Sequence, residues 1–125
     1  METITARPAG IARCELGEGP LWCPDEGVLR FVDIDGGALH GLSWAAREVS
    51  SRTFGRPVCC VVQSDGGSLL IALDNQIVQM GANGVETVAI GAFPEEVRFN
   101  DGKCDPAGRG TNENTNGLLR QYFEE

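Results

Sequence analysis

A few residues have types and spacing that could do chemistry. Glu18 sits between Gly17 and Gly19, and Arg98-Phe99-Asn100-Asp101-Gly102 sets a cation, an amide and an acid within four positions. Arg carries a rigid fork of donors and Asn both donates and accepts, a pair suited to hydroxyl and carbonyl oxygens. Each also has a plainer explanation. A Glu between glycines is an ordinary solvated turn residue, and Asn and Asp in a tight loop commonly bond their own backbone. Asp33-Ile34-Asp35-Gly36-Gly37 alternates acids like a calcium loop, but its twelfth position is Trp44 rather than Glu and no helices flank it, so a hairpin turn is expected. Gly41-Leu42-Ser43-Trp44-Ala45 lacks the last glycine of a nucleophile elbow. His40, the sole histidine, reads as a packing or surface residue on a strand.

The elements that must position these residues follow from a repeat. Asp25, Asp65 and Asp105 each open a short turn ending in glycine, at intervals of 40 residues. β-Branched and aromatic residues cluster between Gly, Asp and Asn, which reads as short strands. Strands are expected at 20–23, 28–33, 38–43 and 48–53, then at 58–63, 68–73, 76–80 and 85–90, with Asp35-Gly36-Gly37 and Asn83-Gly84 as turns. Four strands in about 40 residues is the pattern of a propeller blade, since a helical repeat of that period would need long amphipathic runs. Propellers close with about 4–8 blades. The 125 residues thus read as one partial all-β domain, two blades and an incomplete third, with repeats near 16–55, 56–95 and 96–125. Trp22 and Trp44 are expected to pack between blades.

Composition narrows the partners. Eighteen acidic against ten basic residues give a net charge of −8, with no basic surface for a phosphate backbone, so nucleic acid is not expected. No window approaches the roughly 18 apolar residues of a membrane helix, and the first residues lack the features of a signal peptide. Five cysteines, an odd number without Cys-x-x-Cys spacing, fit reduced packing thiols in a cytoplasmic compartment.

Three motifs together identify a resemblance. Leu16-Gly17-Glu18-Gly19-Pro20-Leu21-Trp22, Phe31-Val32-Asp33-Ile34 and the run from Arg98 through Asn100 and Asp105 to Arg109 resemble the senescence marker protein/gluconolactonase/luciferin-regenerating family, which includes regucalcin. The similarity extends from about Cys14 to Arg120. It implies a six-bladed β-propeller of twice this length or more, and divalent-metal-dependent hydrolysis of a small sugar lactone, a carboxylic ester. It further implies that Glu18 is a metal ligand for Ca²⁺, Zn²⁺, Mn²⁺ or Mg²⁺ and that Arg98, Asn100 and Glu113 contact substrate. Asp101 would orient the Arg98–Asn100 pair. The family's other metal ligands, including the Asp that acts as general base, come from later blades, so this chain is expected to lack a catalytic residue and to bind metal weakly. The alternative is a non-catalytic fragment that binds or self-associates through open blade edges, because unpaired strand backbone recruits strands.

Overall fold

The computed structural model describes residues 2–10, 12–82, 84–91, 94, 97–104 and, as backbone, 122–124. The chain is all-β. One antiparallel sheet holds β1 (Gly17–Cys23), β2 (Val28–Asp33), β3 (Ala38–Ser43) and β4 (Glu48–Thr53) in chain order. A second holds β5 (Val58–Gln63), β6 (Leu69–Leu73), β7 (Gln76–Gly81) and β8 (Gly84–Ile90) in the same order, and β9 (Arg98–Asp101) pairs with β10 (Tyr122–Glu124). The eight expected strands are all present, four of them longer or shorter at one end than expected. The first two Asp-to-Gly turns join β1 to β2 and β5 to β6, with Gly27 and Gly67 at positive φ. The third, from Asp105 to Gly108, lies outside the described residues.

Polarity runs across each sheet rather than only along each strand. β5 and β6 are buried at almost every position, whereas β4 and β8 are almost wholly exposed. A strand covered on both faces needs no polar alternation, which is why Val58-Cys59-Cys60-Val61-Val62 is an unbroken apolar run. The elements packed against it are β1 and β2 of the first sheet and β9. Val32, Ile34 and Leu39 of the first sheet, Val58, Ile71 and Ala72 of the second and Phe99 of β9 form one core. Pairing with β6 leaves Cys59 as an extra residue in β5, and both Cys59 and Cys60 are buried. All five cysteines are free. Among the described residues no helix is long and apolar enough to cross a membrane.

The hairpin expected at Asp35-Gly36-Gly37 is held by a buried acid just before it. Asp33 is 5% exposed, and its carboxylate accepts three backbone N–H bonds of 2.9 Å, from Glu15, Leu16 and Gly36. Burial alone would push its carboxyl up, but these donors, with His40 nearby, hold it below the usual carboxylate range. The acid therefore ties three segments together: the chain entering β1, the end of β2 and the turn into β3.

The tryptophans correct one expectation. Trp22 is 48% exposed and Trp44 is 47% exposed, so neither is a packed inter-sheet residue in this chain. Trp44 lies in the β3–β4 turn, where the Arg47 guanidinium stacks 3.4 Å from its ring centroid. Turn position outranks side-chain size, because a four-residue connection at the edge of a sheet offers an indole only solvent and its own neighbours.

Candidate functional site

β1 does not run evenly beside β2. Glu18 pairs with Val32 and Leu21 with Arg30, so one extra residue is accommodated in β1, and Gly19 takes φ of +61° to allow it. A bulge of this kind bends the strand and re-aims the neighbouring side chain. This accounts for the Gly17-Glu18-Gly19 triplet: Gly19 supplies the bend, while a side chain at position 17 would press on Cys14, with a Cβ 3.2 Å from that residue's own. Glu18 stands exposed beside the bend, and among the described residues its carboxylate makes no hydrogen bond or ion pair.

Glu18 is among the residues lining a cleft of about 550 Å³ between β1, β5 and the end of β9. The cleft brings Glu18 together with Gln63, Asp101, Lys103 and Cys104, residues 45 or more positions away from it along the chain. Cys104 Sγ lies 3.7 Å from the Gln63 carbonyl, tying the segment after β9 to β5. Asp101 Oδ1 accepts the Gly102 N–H at 2.8 Å, so the local backbone bond expected of a loop acid coexists with a place in the cleft. Lys103 and Cys104 were not singled out from sequence; a lone cation and a small thiol after an Asp-Gly pair carry no signal of a shared cleft.

Arg98 and Asn100 flank Phe99 on β9. Phe99 between them is buried, and pairing with β10 leaves Asn100 as an extra residue in β9. Arg98 and Asn100 are half-buried and neither is among the residues lining the Glu18 cleft. Arg98 donates from Nη1 to the Phe99 carbonyl at 2.8 Å, and its guanidinium also lies by the Cys59 thiol. Glu113 lies outside the described residues.

The chemistry of the cleft is that of hard oxygen donors. Burial pushes the Cys60 thiol up to about 12, reinforced by the Asp101 charge, and burial with the Asp65 charge raises Cys104. Neither thiol offers a thiolate near neutral pH. Two carboxylates, Glu18 and Asp101, remain. Oxygen ligands of this type suit Ca²⁺, Mg²⁺ or Mn²⁺, and as two of the six to eight oxygens Ca²⁺ takes, they fit part of such a site.

Two four-stranded antiparallel sheets in chain order, repeated at 40 residues, define an all-β repeat protein. The family model for the SMP-30/gluconolactonase/LRE-like region matches residues 16–112, and the chain belongs to this family. It is 35% identical over 96 residues to pentonolactonase XacC of Haloferax volcanii, covering 77% of this chain and 33% of that protein. It is 34% identical over 97 residues to regucalcin of Danio rerio, covering 76% and 33%. The chain thus spans about a third of the length of the curated relatives it matches. Its fold resembles a solved structure described as a calcium-binding protein, regucalcin, of Agrobacterium tumefaciens. The TM-score is 0.69 at 21% identity, over 80% of this chain and 35% of that one.

Proposed function

We propose that this chain builds part of the site of a metal-dependent sugar lactone hydrolase of the gluconolactonase type. In this reading the two sheets are two blades of a six-bladed propeller, residues 16–55 and 56–95, and β9 begins a third over 96–125. Glu18 is a ligand to a divalent ion, with Asp101 beside it in the cleft, and Arg98, Asn100 and Glu113 contact substrate. The observation that carries the reading is the placement of Glu18: an exposed, unpaired carboxylate beside a glycine bulge, on a residue lining a cleft shared with the segment after Arg98 and Asn100. The names of two relatives, a pentonolactonase and a calcium-binding regucalcin, support the substrate class and the ion.

When bound, a divalent ion would supply polarisation of the lactone carbonyl and a water of lowered pKa. The chain's own residues hold and orient. The Glu18 carboxylate binds the ion, the Arg98 fork donates to ring or carbonyl oxygens, and the Asn100 amide meets hydroxyls. The bond from Arg98 Nη1 to the Phe99 carbonyl uses one of the guanidinium's five donors. With two carboxylates in the cleft among the described residues, ion binding by this chain alone is expected to be weak and turnover slow or undetectable.

The test follows hydrolysis of glucono-δ-lactone by the purified 125-residue chain with a pH indicator, in Ca²⁺, in Zn²⁺ and in chelator. Calorimetric Ca²⁺ titrations of the native chain and Glu18→Gln run alongside. Ion binding that disappears in Glu18→Gln while the circular dichroism is unchanged supports the assignment. Equal Ca²⁺ binding by the two proteins removes Glu18 from the site.

A further inference from the structure

A second set of ligating side chains lies in the first sheet, and none of its members lines the Glu18 cleft. Cys14 precedes β1, Asp33 ends β2 and His40 lies within β3. Their ligand atoms, one from each residue, all fall within 4.8 Å of one another. Each residue has one unused position. The Asp33 carboxylate has about four acceptor sites and three are filled: Oδ1 takes Leu16 and Gly36, and Oδ2 takes only Glu15. His40 Nδ1 bonds Ser51 Oγ at 2.7 Å. When that nitrogen carries the proton and donates it to Ser51, Nε2 presents a lone pair. Nε2 is buried and has no hydrogen-bond partner among the described residues. The Cys14 thiol is half-buried and free.

A buried imidazole nitrogen without a partner is costly unless something fills the gap beside it. We propose that Cys14 Sγ, Asp33 Oδ2 and His40 Nε2 form a site for a borderline-soft divalent ion of the zinc type, with water in the fourth position. Thiolate and imidazole select such an ion over Ca²⁺, and the carboxylate completes three protein ligands. Bonds of about 2.0–2.3 Å in tetrahedral geometry place ligand atoms roughly 3.5 Å apart, so the site closes by a contraction of about 1 Å at the side-chain ends. The Ser51 hydroxyl sets the imidazole tautomer, as the outer partner of a metal-bound histidine does. The backbone bonds to Asp33 fix the carboxylate in advance. Glu18 plays no part, so this site stands whether or not the lactone reading does.

The test uses Co²⁺ as the probe, added to the full chain after treatment with chelator, and reads the thiolate-to-cobalt absorption in the near ultraviolet. One equivalent of Co²⁺ is expected to produce this absorption and one equivalent of Zn²⁺ to abolish it. Cys14→Ser should remove the absorption and His40→Gln should weaken binding at least tenfold. Cys104→Ser and Glu18→Gln should leave both unchanged. The two loss variants report independently, so misfolding of one, seen by circular dichroism, leaves the other to decide. No thiolate absorption in the folded native chain overturns the proposal and leaves a water-bridged polar cluster. Absorption that survives Cys14→Ser or vanishes in Cys104→Ser also overturns it, the latter moving the ion to the Glu18 cleft.

Discussion

Asp33→Ala removes the acceptor of three backbone donors at once, and its cost can be worked from the geometry. Each bond is 2.9 Å long and ends on a carboxylate 5% exposed. Leaving a donor unsatisfied costs about 1–3 kcal/mol. Glu15 and Gly36 are exposed residues whose N–H groups water can reach, so they fall at the low end, while half-buried Leu16 falls higher. The sum is about 3–5 kcal/mol, a large part of the roughly 5–15 kcal/mol that holds a domain together. With a urea m-value of about 2 kcal/mol/M, the midpoint should drop by about 2 M. Asp33→Asn keeps one oxygen for Leu16 and Gly36 but turns either a donor or a poorer acceptor toward Glu15, and should lose about half as much. The assay is urea unfolding followed by circular dichroism, in chelator so that only the hydrogen bonds are read. An Asp33→Ala midpoint within about 0.5 M of the native chain would refute the clamp.

Two other perturbations test the fold. Gly37 takes φ of +64°, and a Cβ there would lie 2.8 Å from the Arg56 carbonyl oxygen and 3.2 Å from its nitrogen. Both are backbone atoms that cannot swing aside, so Gly37→Ala should cost at least about 2 kcal/mol, and urea unfolding unchanged by it would contradict the packing of the β2–β3 turn on residue 56. Cys60 is held protonated up to about 12 by burial, and an unfolded thiol ionises near 9. Folding therefore favours the protonated form: stability is fully present below about pH 9 and falls as pH rises from there toward 12. Native-state alkylation at pH 8 should mark Cys14 and Cys104 before Cys59 and Cys60, and equal rates for Cys60 and Cys104 would show that β5 is not shielded.

Much of the fold was legible because strands and turns are local. The run Val58–Val62, the Asp-to-Gly turns at 25 and 65, and the polar strand Glu48–Thr53 each carry their signal within a few residues. Trp22 and Trp44 were misread because burial depends on what lies opposite: Trp44, in a turn, has nothing opposite it, and Trp22 is left exposed near the end of β1. The candidate site was legible only as motifs. Glu18 stood out as a flanked acid, but its bulge depends on register with Val32 and Arg30, and its cleft on β9 lying beside β5.

The 40-residue interval, the four-strand grammar and the Gly-Glu-Gly and Arg-Phe-Asn-Asp-Gly motifs belong to the sequence by itself, because periodicity and turn chemistry act through neighbouring residues. Only the tertiary structure decided which side chains meet. Cys14, Asp33 and His40 lie 19 and 7 residues apart in the chain and have no motif in common. They converge because Asp33 draws the segment before β1 onto the end of β2, while strand pairing lays β3 beside it. Long-range contact is a property of packing, and no local pattern of residues encodes it alone.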